Sequence, residues 1–298
     1  MELKFAAIDI GSNAVRLLFT RVFENGHEPF FRKDSLIRIP LRLGSDAFTQ
    51  HRISDTKANQ LVNTLTGFRY LIDAYQPIDF MACATSAMRE VENGKKIVEE
   101  IRKKSGIKLK IIEGKDEAEI IVANHFAEQL NRDKSYLYID VGGGSTEITI
   151  FRKGKSIASH SFDIGTVRLL EHLVKDSHWK AMRKWIKAHT REFEDIISIG
   201  SGGNINKIFR LARQKSNRPI TYKKVKEISR LVSSYTYEDR IRVLGLKPDR
   251  AEVLVPASQI YIFAMKWAKS KHIYVPQIGL ADGIIHLLYE KYKKELKK

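Results

Sequence analysis

The feature that most constrains the fold is a motif that occurs twice, roughly one domain length apart. Each copy is a β-prone run that ends in an aspartate, followed by a turn of glycine and serine residues and then by a second apolar run. In the first copy Asp9 precedes the turn Gly11–Asn13, and in the second Asp140 precedes Gly142–Thr146. The repetition predicts two similar halves, each of which begins with a β-hairpin.

A hairpin tip built from glycine and serine exposes a row of backbone N–H groups, which suits phosphate oxygens. Three successive glycines in the second tip let the backbone approach a ligand closely, and Ser145 and Thr146 add hydroxyl donors. A flexible surface hairpin is the alternative. Two such tips from two similar halves would grip a phosphate chain from both sides.

Composition restricts the class of protein and of partner. The chain has 298 residues, of which 43% are hydrophobic and 29% charged, and its formal net charge is +17. This is a globular composition with room for two domains. The positive charge favours polyanions such as nucleic acid, nucleotides or polyphosphate, although a merely solvated basic surface is an equal alternative.

The only cysteine, Cys83, lies in an apolar run and is expected to be a small core residue. The absence of cysteine pairs, of a signal-peptide pattern and of a membrane-spanning run predicts a cytoplasmic protein.

The order of strand-like and helix-like segments predicts an α/β protein with two domains, 1–130 and 131–298, and a cleft between them. Each half is expected to begin with an antiparallel β-meander and to continue with α/β units. Helices are expected over Thr85–Asn93, Asp116–Leu130 and Gly283–Lys298, and over Arg250–Lys269 with a break near Pro256.

The aspartates before the turns are candidate metal ligands. A carboxylate beside a phosphate site repels the substrate unless a cation intervenes, and Mg²⁺ is the cation that oxygen ligands favour. Asp9 and Asp140 are therefore predicted to bind a divalent metal, with Glu147 in reach of it. The alternative is that each aspartate only hydrogen-bonds its own turn.

Three further features carry candidate roles. One of the glutamates at the start of a helix, Glu113, Glu117 or Glu119, could act as a general base, although acidic residues there also serve helix-end electrostatics. Gly200–Gly203 end a strand and open a helix, which is a weak signal for a third phosphate contact. Arg16, Arg89 and Arg168 could clamp phosphate oxygens, with an ordinary surface role as the alternative.

No zinc spacing, Walker A loop or nucleophile elbow occurs. The basic runs could guide a long polyanion to the cleft. We expect neither a dedicated nucleic-acid site nor a membrane contact, and a homodimer is left open.

The motifs in order are 7–17, 84–89, 114–118, 139–147 and 200–203. Together they resemble the exopolyphosphatase / guanosine pentaphosphate phosphohydrolase (Ppx/GppA) family over nearly the whole chain. The resemblance implies two duplicated ribonuclease-H-like (actin-like ATPase) domains. It also implies that Glu117 activates the attacking water, that Asp140 and Glu147 lie near the metal, and that the loops contact phosphate.

The substrate-binding candidates, from the residues and the resemblance together, are Gly11, Ser12, Asn13, Arg16, Arg89, Gly142, Gly143, Gly144, Ser145, Thr146, Gly200, Ser201, Gly202 and Gly203. Two departures from the family pattern matter. Ala281 stands where the family carries an arginine, and the additional C-terminal helical domains of longer members do not follow. Binding of distal phosphates and processive handling of long chains are the properties that these departures affect.

The resulting expectation is Mg²⁺-dependent removal of terminal phosphate from inorganic polyphosphate, guanosine pentaphosphate or both. A small-molecule kinase of the same superfamily is one alternative, and it would need an aspartate base and a nucleoside pocket. A non-catalytic sensor of polyphosphate or of the guanosine alarmone is the other.

Overall fold

The computed structural model describes residues 2–25, 28–122, 131–214 and 218–296. The chain divides into two compact units: Met1–His125 together with Leu280–Lys298, and Phe126–Gly279. Each unit contains one β-sheet with helices packed on it. Within the described residues, no helix combines the length and the apolar character that crossing a membrane requires.

The first unit begins with a β-meander and continues with α/β connections. Its elements are β1 (Glu2–Ile10), β2 (Val15–Phe23), β3 (Phe30–Ile39), α1 (Leu43–Gln50), α2 (Asp55–Tyr75), β4 (Asp79–Ala84), α3 (Ser86–Arg89), α4 (Gly94–Ser105), β5 (Leu109–Ile111) and α5 (Gly114–Val122). The sheet order is β3-β2-β1-β4-β5. The pairs among β1 to β3 are antiparallel, and β4 and β5 add in parallel to β1.

The second unit repeats this pattern. Its elements are β6 (Ser135–Val141), β7 (Thr146–Arg152), β8 (Lys155–Phe162), α6 (Thr166–Leu170), α7 (Asp176–Thr190), β9 (Ile196–Ser201), α8 (Gly202–Leu211), β10 (Ile220–Thr221), α9 (Tyr222–Ser234), α10 (Tyr237–Arg242), α11 (Pro248–Trp267) and β11 (His272–Tyr274). The sheet order is β10-β11-β9-β6-β7-β8. Read in reverse, β8-β7-β6-β9-β11, this order and its strand directions match those of β3-β2-β1-β4-β5 in the first sheet, and β10 is an addition. The predicted duplicated α/β fold is therefore confirmed.

The last helix, α12 (Leu280–Glu295), belongs to the first unit, whereas the sequence analysis placed it in the second domain. It packs on β1, β2, β4 and α5. The ring of Tyr289 lies edge-on to Phe5 with 6.4 Å between centroids, and its hydroxyl donates to Glu24 at 2.6 Å. Apolar periodicity reveals that a helix exists but not which sheet it covers, which accounts for the difference.

Three other elements differ from expectation. Helix α1 was not predicted, and only α3 forms within the segment Thr85–Asn93. Helix α11 continues through Pro256. Proline there removes one helical hydrogen bond, but α11 is the helix on which α6, α7, α8, α9 and α10 pack, and this burial outweighs the local loss. The expected continuation of α5 to Leu130 lies outside the described residues.

Both units place their motifs in the same location. The turn after β1 and the segment after β4 follow the carboxyl ends of two adjacent parallel strands, as do the turn after β6 and the segment after β9. The carboxyl edge of the parallel strands is where ligands bind in open α/β sheets. In each unit the fold therefore gathers the candidate residues at one sheet edge.

Candidate active site

The first glycine turn is held by the start of α1. The turn Gly11–Ala14 is closed by a hydrogen bond from its first amide to its last carbonyl, at 3.1 Å. The carbonyl of Ser12 accepts from the amide of Gly44 at 2.8 Å, and that of Asn13 accepts from the amide of Arg42 at 3.1 Å. Because a trans peptide directs its N–H opposite to its carbonyl, the amides that follow these two carbonyls point away from α1.

The second turn, Gly142–Ser145, is held in the same way by α6. Its first amide donates to its last carbonyl at 2.9 Å. All three glycine carbonyls accept hydrogen bonds from the start of α6: two from backbone amides, at 3.0 and 2.8 Å, and one from the side chain of Arg168, at 2.8 Å. The amides of Gly143 and Gly144 donate to no group in the described part of the chain. They form a concave set of donors suited to an anion.

Two glycines that the sequence analysis overlooked make these contacts feasible. A Cβ on Gly165 would lie 2.3 Å from the carbonyl oxygen of Gly143, and one on Gly44 would lie 2.8 Å from the Cβ of Ser12. Each glycine follows the third strand of its unit and lies directly against the glycine turn of that unit. Neither is part of a glycine run, so only their equivalent places in the two halves could have identified them.

The contact at Gly165 gives a first prediction. Gly165→Ala forces the turn and α6 apart, so the free energy of unfolding should fall by about 1–3 kcal/mol, as in overpacked sites. Activity should fall with it because the amide donors move. The matched control is Gly67→Ala, in the exposed interior of α2 with no atom within 4 Å of the new Cβ. There alanine should be neutral or stabilise the protein by up to about 1 kcal/mol. Urea unfolding of both variants checks this, and equal stability would contradict it.

Strand register gives the two aspartates different neighbours. Asp9 on β1 pairs with Arg16 on β2, whereas Asp140 on β6 pairs with Glu147 on β7. The first pair is an ion pair between the Arg16 guanidinium and the buried Asp9 carboxylate. The second brings two carboxylates side by side. Asp9 thus has a cation supplied by its own strand pair, while at Asp140 the neighbouring charge is of the same sign.

The residues at Asp140 fit a hard divalent cation. Glu147 is 2% exposed, and its Oε1 accepts from the hydroxyls of Ser145 at 2.6 Å and Ser161 at 2.8 Å. A Cβ on Gly202 would lie 2.7 Å from Oδ1 of Asp140, so glycine lets this carboxylate lie against the start of α8. In the described residues no group of three or more His, Cys, Asp or Glu side chains converges. A pair of carboxylates is what Mg²⁺ uses when phosphate and water complete its shell.

The thiol of Cys83 is subject to the negative charges of both Asp9 and Glu117. Burial raises the pKa of the Cys83 thiol to about 11, with contributions from the negative charges of Asp9 and Glu117 and an opposing effect of Lys110. Both carboxylates therefore act on the same thiol. With its thiol buried and protonated, Cys83 is a core residue, as predicted.

A close helix crossing places α5, which carries Glu117. A Cβ on Gly283 of α12 would lie 2.1 Å from the carbonyl oxygen of Ile120, so the two helix backbones touch at this glycine. The same helix is tied to the sheet by Lys33–Asp282 and Lys291–Asp79, at 2.7 and 2.8 Å. The sequence predicted a helix from Gly283 onward and singled out Ala281, which is buried at 6% exposure, but not the contact of Gly283 with Ile120.

The three candidate arginines all contact their own chain. Arg16 pairs with Asp9, and the Nε of Arg168 donates to the carbonyl of Gly144 in the second turn at 2.8 Å. Arg89 donates to the carbonyl of Ile112 at 2.8 Å, and its Nε lies 3.6 Å from a carboxylate oxygen of Glu113. Arg89 is thereby fixed at the end of β5, just ahead of α5. Contact with phosphate stays a prediction for Arg16, Arg89 and Arg168.

The third glycine segment is built around Ser201, the last residue of β9. The Ser201 hydroxyl donates to the carbonyl of Ile278 at 2.9 Å, and the backbone carbonyl of Ser201 accepts from the Tyr261 hydroxyl at 2.7 Å. Burial, with the charge of Asp140, raises the pKa of the Tyr261 hydroxyl well above its ordinary value, so it remains a donor. Tyr261 was not found from the sequence, where it is one aromatic residue within an apolar helix.

Arg250 is a further residue that the sequence analysis missed. A Cβ on Gly203 would lie 2.1 Å from Nη2 of Arg250, so glycine lets the guanidinium lie against the start of α8. Its Nη1 donates to Asn204 at 2.6 Å, and the Asn204 amide reaches the carbonyl of Val141 at 3.4 Å. The contact of Gly200–Gly203 with phosphate stays a prediction.

Comparison with known proteins adds to this geometry. The model of the Ppx/GppA phosphatase family matches residues 30–293. Exopolyphosphatase 1 of Mycobacterium bovis is 24% identical over 306 residues, covering 95% of this chain and 87% of the relative. Guanosine-5'-triphosphate,3'-diphosphate pyrophosphatase of Photobacterium profundum is 23% identical over 97% of this chain, but only 60% of the longer relative is covered.

Solved structures share the fold. An exopolyphosphatase from Cytophaga hutchinsonii superposes with a TM-score of 0.83, covering 97% of this chain and 98% of that one at 21% identity. The Aquifex aeolicus member of the Ppx/GppA family gives a TM-score of 0.77, covering 98% and 99% at 21% identity. The duplicated architecture is therefore the two-domain actin-like fold of these proteins.

Proposed function

Because this chain belongs to the Ppx/GppA phosphatase family and is thus a hydrolase of phosphoric anhydrides, we propose that it releases terminal orthophosphate from inorganic polyphosphate. The observation that carries the proposal is the pair of glycine turns whose carbonyls are tied to α1 and α6. Tying the carbonyls directs the turn amides toward an anion before any ligand binds. Guanosine pentaphosphate is the second candidate substrate, favoured by the similarity to the Photobacterium pyrophosphatase.

In the proposed reaction Glu117 accepts a proton from a water molecule as that water attacks the terminal phosphorus. The bridging P–O bond breaks, orthophosphate leaves, and the negative charge passes to the new chain end. Most of the catalysis in phosphoryl transfer comes from positioning and from neutralising oxygen charge. The turn amides supply such donors in each unit, and Arg89 is a fixed cation beside the start of α5.

We also propose that Asp140 and Glu147 hold a divalent cation, most simply Mg²⁺. Their side-by-side carboxylates and the hydroxyls of Ser145 and Ser161 form an all-oxygen donor set. A bound cation there would neutralise charge on the phosphate oxygens. Asp9 is a weaker candidate ligand because Arg16 already balances its charge.

The direct test is release of orthophosphate from the purified protein supplied with polyphosphate or with guanosine pentaphosphate. We expect polyphosphate to shorten one phosphate at a time with Mg²⁺ present, and release to stop when a chelator removes the metal. No release from either substrate would overturn the proposal. Transfer of phosphate from ATP to a small acceptor would instead support the kinase alternative, which the hydrolase relatives named above do not favour.

A second prediction concerns salt. With a formal net charge of +17, capture of a long polyanion should be assisted by the field of the whole protein, which salt screens. The KM for long polyphosphate should therefore rise steeply between low and physiological ionic strength. The KM for tripolyphosphate should rise less because fewer charges are steered. Initial rates across a salt series check this, and the same slope for both lengths would rule out long-range guidance.

A further inference from the structure

A single row of residues crosses all five strands of the first sheet. The strand register, followed from one strand to the next, places side by side Arg38 of β3, Arg16 of β2, Asp9 of β1, Cys83 of β4 and Lys110 of β5. Residues that pair across neighbouring strands point to the same face, and neighbouring strands lie about 4.8 Å apart. Lys110 therefore lies on the same face of the sheet as the Asp9–Arg16 ion pair, on the opposite side of Asp9 from Arg16.

The equivalent row in the second sheet has the opposite charge. It consists of Ser161 of β8, Glu147 of β7, Asp140 of β6 and Ser201 of β9. The first row thus carries three cationic side chains and one carboxylate, while the second carries two carboxylates and no cation. The two halves share a topology but differ in electrostatics: the second row suits a metal ion, and the first suits an anion.

Lys110 is the exposed end of the first row. Its side chain is exposed and takes part in no ion pair among the residues that the structure describes. Its ammonium is near enough to Cys83 to oppose the effects that Asp9 and Glu117 have on that thiol. Arg16 and Arg89 both contact carboxylates or carbonyls of their own chain, whereas Lys110 has its donors available.

We propose that Lys110 is a substrate-binding residue that contacts the terminal phosphate of the anhydride beside Glu117. This inference rests on the proposed function, since it assigns a phosphate contact to the same site. It adds a residue that none of the family motifs contains: Lys110 lies on β5, four residues before the Gly114–Ala118 motif. An ammonium there offsets charge on the phosphate oxygens as the Glu117 carboxylate approaches them.

The test compares Lys110→Met and Lys110→Gln with Lys110→Arg and with the control Lys103→Met. Lys103 lies on α4 of the same unit, and its side chain is 72% exposed. Lys103→Met removes the same charge as Lys110→Met. Binding of tripolyphosphate is measured by calorimetry, and kcat and KM by orthophosphate release. We expect about a tenfold loss in affinity and in kcat/KM for the neutral variants, the size of one charge-assisted hydrogen bond. Lys110→Arg should stay within a few-fold of the parent.

The inference is overturned if the neutral Lys110 variants, with unchanged melting temperatures, bind tripolyphosphate as Lys103→Met does. Equal losses in Lys110→Met and Lys103→Met would likewise assign the effect to net charge rather than to contact. Failure of the proposed function is separately visible. In that case the parent protein releases no orthophosphate, whatever Lys110 contributes to binding.

Discussion

Replacing Glu117 by glutamine is expected to lower kcat for orthophosphate release by about 100- to 10,000-fold, the usual contribution of a positioned general base. The substitution keeps the shape of the side chain but removes its negative charge and its ability to accept a proton. The turn amides proposed to bind phosphate belong to other segments of the chain, Gly11–Ala14 and Gly142–Ser145. The dissociation constant for tripolyphosphate should therefore change by only a few-fold. Calorimetry with the inactive variant and single-turnover phosphate release measure the two effects separately.

Glu119→Gln is the matched control for this experiment. Glu119 lies on the same helix, is 67% exposed and pairs with Lys115 at 3.8 Å. The control removes the same charge from α5, and the long-range electrostatic change is therefore similar in both variants. It should keep full turnover. If both variants lose turnover equally, or if Glu117→Gln keeps it, Glu117 is not the base.

The strand–turn–strand halves of this fold could be predicted because their signals are local. β-prone runs, an aspartate and a glycine turn lie within about ten consecutive residues, and each determines its neighbours. Helix α12 could be predicted as a helix but not as part of the first unit. Its assignment depends on contacts such as that of Tyr289 with Phe5, which are far apart along the chain.

The parts of the site that escaped prediction depend on contacts between distant segments. Gly44 and Gly165 matter because of the backbone that lies against them, not because of the residues beside them in sequence. Arg250 reaches the start of α8 from a separate helix.

The difference between the two aspartates could have been predicted from the sequence. Asp9 pairs with Arg16 and Asp140 with Glu147, each seven positions along its hairpin. Assigning the hairpin register from the sequence would have revealed that the two aspartates have partners of opposite charge.

That difference in partner leads to the second large effect. Asp140→Asn should raise the Mg²⁺ concentration for half-maximal activity by at least about 10- to 100-fold, the loss seen when even outer-shell partners of a metal are removed. Glu147→Gln should do the same. Asp9→Asn should leave this concentration within a few-fold of the parent and should instead weaken substrate binding, because the Arg16 guanidinium loses its carboxylate partner. Orthophosphate release across a Mg²⁺ titration measures all three variants.

A readout independent of turnover separates metal binding from catalysis. A cation that binds only the folded protein raises the melting temperature by mass action. Mg²⁺ should therefore stabilise the parent and Asp9→Asn to the same extent, and should stabilise Asp140→Asn and Glu147→Gln much less. If Asp9→Asn loses the stabilisation as completely as Asp140→Asn, Asp9 is a metal ligand, as the repeated motif by itself suggests. In that case the ion pair with Arg16 would have to open when the metal binds.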